Sequence, residues 1–319
     1  MIPTYNRIEY LGRTINSVLE QAPSEAEMQI EVIDNASPDF DVAAFVREIG
    51  GDRVCFHRHE TNIGLVENWN SCIRRARGQW VHILHDDDMV RPNFYRSYRR
   101  WIEAHPQVDL VFSRSIAIDE DDDWEYLTAG PPTMPRAGIW DDGLFRLVSE
   151  NPSDFLRCPS IVVARRAYEA VGGFEARAIY THDWQMWLRI AAQFEVGYLH
   201  EPLALYRQHP EGITYNLISH HDVLADIERT INIDMALLPP ERRAAARPGA
   251  DRTIAAIAEM YRWYVRERGY HRIELKYSRA LYRHAPSLRN LLPIFTSLAR
   301  VMKMQVTKKK STKPTASIS

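Results

Sequence analysis

Four consecutive residues, His85-Asp86-Asp87-Asp88, follow the compact apolar run Trp80-Val81-His82-Ile83-Leu84 and gather three carboxylates at one strand end. Carboxylates this close repel one another unless a cation neutralises them. Hard divalent ions such as Mg2+ or Mn2+ take one or two carboxylates together with phosphate oxygens. Alternation along an extended chain turns Asp86 and Asp88 to one side and Asp87 to the other. The residues alone also admit a second reading, a solvated acidic turn ahead of the helix that Pro92 opens. Asp119 to Asp123 is equally acidic but lacks this strand-end setting, and it reads as a surface loop.

Four further groups carry polar chemistry in chain order. In Asp34-Asn35-Ala36-Ser37 a carboxylate can accept hydrogen bonds from a nucleobase or ribose, or cap the helix near Val42. In Asn62-Ile63-Gly64 a small residue opens a helix and lets backbone or amide groups approach a ligand. In His182-Asp183-Trp184-Gln185-Met186-Trp187 an acid at a helix start beside aromatics can serve as a general base. It can equally cap the helix, with the tryptophans in the core. Tyr206-Arg207-Gln208-His209 can bring a cation and an imidazole to a diphosphate, or be an ordinary surface pair.

These groups need a frame that places them together. Ile8 to Leu19 repeats apolar residues at helical spacing, Gln29 to Ile33 reads as a strand, and Val42 to Ile49 as a helix. A strand at 54–57, a helix at 64–75 and the strand at 80–84 continue the alternation. Such alternation predicts an α/β fold with a mostly parallel sheet, whose ligands bind beyond the carboxyl ends of the strands. Strand-like segments recur at 110–118, 160–164 and 196–205, with a helix at 183–192 between the last two. Past residue 212 only helices are expected, over 218–238, 254–268, 271–284 and 287–306, with breaks at Pro239-Pro240 and Gly269.

The 319 residues hold 40 Lys and Arg against 42 Asp and Glu, a formal charge of −2. No acid follows Glu274, so residues 1–274 carry −12 and the last 45 residues carry +10. The acidic body opposes a nucleic-acid partner. Three scattered cysteines suit neither a disulfide scaffold nor a cysteine zinc site. No signal peptide and no membrane span is expected, which points to a cytoplasmic protein. Leu288, Leu291, Leu292, Phe295, Leu298, Ala299 and Met302 recur at helical spacing among Arg289, Arg300 and Lys303, ahead of Lys308-Lys309-Lys310. A basic amphipathic helix of this kind either docks on the body ahead of a solvated tail or lies on an anionic membrane surface, and the second reading places contact through 287–310 at the inner face of the membrane.

Taken in order, these motifs resemble glycosyltransferase family 2, inverting transferases of the GT-A fold. Pro3-Thr4-Tyr5-Asn6-Arg7 is similar to the opening motif, Asp34-Asn35-Ala36-Ser37 to the second-strand aspartate motif, and Asn62-Ile63-Gly64 to the asparagine–glycine motif. His85-Asp86-Asp87-Asp88 is similar to the metal-binding region. Gly172-Gly173-Phe174 with His182-Asp183-Trp184 resembles the segment bearing the base, and Tyr206-Arg207-Gln208-His209 the closing motif. The resemblance covers residues 2–212 and implies a nucleotide-diphospho-sugar transferase fold over 1–212 with a truncated first strand. A helical extension over 213–306 and a basic disordered tail over 307–319 would follow.

By residue, the resemblance implies a nucleotide pocket of Pro3, Thr4, Tyr5, Arg7, Asp34, Asn62, Gly64, Asp86 and Asp87, with Asp34 on the base. Asp88 and His209 would hold Mn2+ or Mg2+, and Asp183 would be the catalytic base. Arg207, His182 and Trp184 would lie near the diphosphate and acceptor; His182 stands where the family usually has an acid. The implied activity is transfer of a sugar from a nucleotide-sugar donor, a UDP-sugar, to a glycan or lipid-linked glycan acceptor in cell-surface polysaccharide assembly. Two alternatives accompany it: a catalytically impaired sugar-nucleotide-binding module, and a nucleotidyltransferase. The latter wants a Gly-rich basic phosphate loop, which Pro3 to Arg7 is not.

Overall fold

Apolar residues spaced to cover one helix face, alternating with short β-branched runs, build the first half of the chain. The computed structural model describes residues 1–131, 134, 136–140, 142–150, 155–177, 180–210, 212–220 and 223–311. Its opening elements are β1 (Ile2–Thr4), α1 (Ile8–Leu19), β2 (Glu31–Asp34), α2 (Val42–Gly50), β3 (Cys55–Arg58), α3 (Leu65–Arg75) and β4 (Trp80–His82). Strands β1, β2 and β3 pair in parallel, with Thr4 opposite Asp34 and Asp34 opposite Arg58. Helical crossovers are what a parallel pair requires, and α1 buries Leu11, Thr14, Ile15 and Val18 in making one. The expected alternation is present in this half.

The second half of the sheet is mixed. It comprises β5 (Met89–Val90), β6 (Val108–Ile118), β7 (Trp124–Leu127), β8 (Gly138–Trp140), β9 (Ile161–Ala164) and β10 (Glu195–Arg207). Helices α4 (Phe94–Ala104), α5 (Gly143–Ser149), α6 (Arg165–Val171) and α7 (His182–Ala191) are interspersed. The central order is β4-β9-β6-β10-β5, with β6 and β10 parallel and the other neighbours along this path antiparallel. Two backbone hydrogen bonds join the halves: the Met1 amino group donates to the carbonyl of His82 (2.9 Å), and Leu84 N–H donates to that of Met1 (3.0 Å). The ends of β1, β2 and β4 therefore open on the same side, where Thr4, Asp34 and His85 to Asp88 emerge.

Beyond residue 212 the described elements are helices: α8 (Ile213–His220), α9 (Val223–Leu237), α10 (Pro240–Glu267), α11 (His271–His284) and α12 (Leu288–Ser311). Three boundaries differ from the sequence reading. The 218–238 segment is two helices. Helix α10 starts at Pro240 and not at Ile254, because Pro240 fits a first helical turn that needs no N–H from it. Pro248 lies inside α10 and is followed by Gly249, where a Cβ would collide with the carbonyl oxygen of Ser149. That close crossing of α10 over the end of α5 holds the helix through its proline. Helix α12 continues to Ser311, and the rest of the expected disordered tail, 312–319, lies outside the described residues. Among the described residues no helix is long and apolar enough to cross a membrane.

The larger core joins the mixed sheet to the C-terminal helices. At its centre Phe112, fully buried on β6, meets Trp140, Phe155 and Tyr198 at ring separations of 5.3, 5.9 and 5.1 Å. Removing such a ring forfeits its transfer energy and leaves a cavity. Phe112→Ala is expected to lower the unfolding free energy by about 3–5 kcal/mol, read from urea denaturation. A loss below about 1 kcal/mol would show that the four rings do not act as the centre of this core.

Candidate active site

The loop after β4 places three carboxylates where the ends of β1, β4 and β10 converge. Its backbone is held from α1: the Thr14 hydroxyl lies 2.7 Å from the carbonyl oxygen of Asp88 and 3.0 Å from that of Asp86. Asp86 accepts from the Thr4 hydroxyl at 2.6 Å and from Arg7 at 3.2 Å. Arg7 also donates to Asp87 at 2.5 Å, and the same Asp87 oxygen lies 3.2 Å from His209 Nε2. Asp88 accepts at one oxygen from the backbone N–H of Arg207 (2.9 Å). Its other oxygen is buried and has no hydrogen-bond partner.

Electrostatics divides the three acids. Burial pushes the Asp86 carboxyl up to about 7, reinforced by the Asp87 charge. Burial likewise raises Asp88 well above the ordinary value, again with Asp87 adding to the effect. For Asp87 burial works in the same upward direction, but the His209 hydrogen bond and the Arg7 charge outweigh it and hold its carboxyl low. The protein's own cations thus carry one negative charge comfortably, and the other two acids favour their protons. A bound cation is the means of ionising all three.

The residues present fit a divalent ion. One oxygen or nitrogen from each of His85, Asp87 and Asp88 lies within 4.8 Å of the others; the second Asp88 oxygen, 3.8 Å from His85 Nδ1, and His85 Nε2 are both buried without hydrogen-bond partners. Burial lowers the His85 pKa, keeping the imidazole in the neutral form that ligates metals. Its ring stacks on Trp69 at 4.7 Å. His85 was read only as part of the acidic motif. Its placement as a third donor depends on Trp69, sixteen positions upstream on α3, which no spacing rule signals.

A cavity of about 190 Å³ lies beside this cluster and is lined by Arg7, His85 to Asp88, Arg157, Tyr180 to Trp184, Tyr206, Arg207 and His209. Asp183 is in the first turn of α7, where an acid is favourably placed. That helix start is anchored from α9: buried Asp226 accepts from Tyr180 N–H (2.8 Å), Thr181 N–H (3.1 Å) and the Thr181 hydroxyl (3.0 Å). His182 is buried beside Trp69 with its Nδ1 unpartnered, and Trp184 is 9% exposed at the cavity edge. Trp187 belongs to the core.

Other expected site residues are placed differently. Asp34 is fully buried and already accepts from Ser37 N–H (3.0 Å), the Ser37 hydroxyl (2.5 Å) and Arg58 (2.8 Å). Its carboxylate therefore fixes the loop after β2, with about one of its four lone-pair sites left over. It does not cap α2; Asp41 does, accepting from Ala44 N–H at 3.0 Å. Asn62 receives a hydrogen bond from Asn35 (3.0 Å), and its side chain also accepts from Gly64 N–H (2.8 Å). Gly64 has φ +84° and open space where a Cβ would point. Pro3 is buried within β1, and Tyr5 is 45% exposed at its end.

Arg207 lines the same cavity. Its side chain is fully buried and donates to the carbonyls of Asp87 (2.8 Å) and Asp119 (2.6 Å) while pairing with Asp122. The guanidinium thus ties the loop after β4 to the acidic turn and adds positive charge beside it. The acidic turn read as a surface loop is its partner.

The raised carboxyls yield a pH test. A folded-state value above the unfolded one means that the folded chain keeps a proton the unfolded chain releases, so metal-free stability falls as pH rises from 3.8 to about 7. In EDTA at pH 8, Asp88→Asn is expected to raise the melting temperature by about 2 °C or more and to abolish stabilisation by Mn2+. An unchanged or lower melting temperature in EDTA would mean that the cluster carries no uncompensated charge.

The family model of glycosyl transferase family 2 matches residues 1–171, more than half of the chain. An uncharacterized protein of Mycobacterium tuberculosis is 28% identical over 257 residues, which are 77% of this chain and 78% of that one. The chain spans 59% of the length of further mycobacterial relatives at 25% identity. Among solved structures, residues 1–349 of S. aureus TarS in complex with UDP-GlcNAc superpose with a TM-score of 0.64 at 15% identity, covering 94% of this chain and 86% of that one. The mannosyltransferase PcManGT from Pyrobaculum calidifontis, in complex with GDP-Man and Mn2+, gives 0.54 at 16% identity over 94% of this chain and 79% of that one. At these identities the likeness shows a shared fold.

Proposed function

This chain belongs to glycosyl transferase family 2 and is a glycosyltransferase, and we propose that it moves a sugar, with inversion, from a UDP-sugar to a hydroxyl of a glycan or lipid-linked glycan. The observation that carries the proposal is the convergence on one cavity of the Asp86–Asp88 cluster, His209 and Asp183. A UDP-sugar is favoured over other donors by the likeness to the TarS structure that holds UDP-GlcNAc.

In this proposal Asp183 removes the proton from the attacking acceptor hydroxyl, and a single displacement inverts the anomeric carbon. Asp88, with His85 and Asp87 beside it and His209 paired to Asp87 as a further candidate donor, would hold Mn2+ or Mg2+, which when bound would supply positive charge to the leaving diphosphate. Thr4 and Arg7 orient Asp86 toward the ribose. Asn62, Gly64 and Tyr5 border the nucleoside, with Asp34 and Pro3 fixing the loops around it. Asp226 positions Asp183 through the Thr181 backbone, so the 213–306 helices take part in building a catalytic unit centred on 1–212.

The decisive measurement is donor-dependent nucleotide release with Mn2+, following a thermal-shift screen of nucleotide sugars. Asp183→Asn is expected to lower turnover about 10²- to 10⁴-fold with donor affinity unchanged. Donor binding without turnover in any acceptor mixture would instead favour a sugar-nucleotide-binding module.

We also propose peripheral membrane contact through α12. Leu288, Leu292, Phe295 and Met302 are 88%, 63%, 60% and 58% exposed along one stripe, in the segment of the chain that carries +10. Arg289 and Lys303 lie on the same helix. Vesicles containing phosphatidylglycerol are expected to float the full chain, and Leu292→Glu with Phe295→Glu to reduce flotation about 10-fold or more. Equal flotation of the variant would remove this proposal.

A further inference from the structure

One cation of the active-site cavity has no counter-charge. Arg157 precedes β9, and its guanidinium lies 5.0 Å from the centre of the Tyr206 ring. Its Nε is buried and has no hydrogen-bond partner. Among the described residues, no carboxylate or carbonyl lies within ion-pair or hydrogen-bond distance of that guanidinium. The contrast with the other arginines of the cavity is sharp: Arg7 is held by Asp86 and Asp87, and Arg207 by three carbonyls and Asp122.

Arginine stays charged at every physiological pH, so it cannot escape burial by losing a proton. Arg157 is half-buried with its Nε shielded from solvent, and a guanidinium so placed without an anion is open to a ligand that supplies the missing charge. The wall nearest Arg157 is aromatic and aliphatic, with Asp183 and the Asp86–Asp88 cluster elsewhere in the same cavity. Tyr206 comes from the end of β10, Tyr180 from the approach to α7, and Ile257, Met260 and Tyr261 from α10. The hydroxyls of Tyr180 and Tyr261 hydrogen-bond to each other, tying that wall to the segment that leads into Asp183. Aromatic and aliphatic side chains suit the C–H faces of a sugar or polyol, and the planar guanidinium suits a phosphate or carboxylate bidentately.

We propose that this wall is the acceptor subsite and that Arg157 binds an anionic group, phosphate or carboxylate, carried by the acceptor. The inference rests on the transferase assignment, which gives the donor diphosphate to the Asp88 and His209 end of the same cavity. The acceptor is accordingly a phosphorylated polyol or sugar, or a uronic acid, and the C-terminal helix α10 helps to select it.

The test uses the full chain and paired probes that differ in charge: glycerol 3-phosphate against glycerol, and glucuronate against glucose. Affinities are measured with and without saturating UDP and Mn2+, and UDP affinity is measured separately on every variant. In the wild type, at least one charged probe is expected to bind about 10-fold or more tightly than its neutral partner, and the pair that does so identifies phosphate or carboxylate. Arg157→Gln is expected to bring that ratio close to one with UDP affinity unchanged. Arg157→Lys, which keeps the charge and loses the planar fork, is expected to retain part of the ratio. Because the Gln variant removes an unpaired charge, its melting temperature is expected to equal or exceed that of the wild type.

No charge discrimination in the wild type, or the same discrimination in Arg157→Gln, would overturn the proposal. So would a loss of UDP affinity in that variant, which would assign Arg157 to the donor. Arg157-dependent anion binding in a chain that binds no nucleotide would leave the anion site standing and overturn the transferase assignment of the cavity instead.

Discussion

Three carboxylates buried within one short loop form the constraint around which the rest of the site is organised. Their mutual repulsion would open the end of β4 unless each oxygen met a donor or a cation. The donors come from elements distant in the chain: Thr4 from the end of β1, Arg7 at the entrance to α1, and Arg207 and His209 at the end of β10. Thr14 holds the loop backbone from the buried face of α1. The parallel strands are thus positioned as much by what their ends must neutralise as by the core beneath them. One Asp88 oxygen is left over, and with the neutral imidazole of His85 it defines where added positive charge belongs.

Much of this framework was legible in the amino-acid order. The alternation up to residue 84 follows from hydrophobic spacing, and the polar groups at strand ends follow from the rule that parallel sheets present ligand sites there. Boundaries failed where tertiary contact overrode local preference. Helix α10 begins at Pro240, well before the expected 254, and runs through Pro248 to Gly249, whose missing Cβ lets it cross closely over the end of α5. Individual contacts are less legible. Asp34 and Arg207 have the residue types that a nucleotide site wants, but sequence does not reveal that Ser37 and Arg58 pair with the first or that backbone carbonyls and Asp122 pair with the second. His85 and Arg157 escaped notice because their significance lies in the partners they have or lack, which only the folded chain determines.

The helices after residue 212 are similarly more than an appendage. Asp226 on α9 gathers three donors from Tyr180 and Thr181 and so sets the first turn of α7, where Asp183 lies. Helix α10 contributes Ile257, Met260 and Tyr261 to the cavity wall. A boundary drawn from the disappearance of strands near residue 212 describes the chain's architecture, while the cavity is assembled across it.

The link from Arg207 to the acidic turn at 119–123 has an electrical consequence. Asp122 also pairs with Arg13 at 2.9 Å on the exposed side of α1. The charges therefore alternate in sequence from Arg13 at the solvent, through Asp122 and buried Arg207, to the carboxylates of the loop after β4. Arg13 and Asp122 are 42% and 37% exposed, so solvent and salt damp their share of this chain, whereas the buried Arg207 acts on the loop after β4 with far less screening. The acidic turn thus reaches the site chiefly by holding Arg207 in place, and Arg13 only through Asp122.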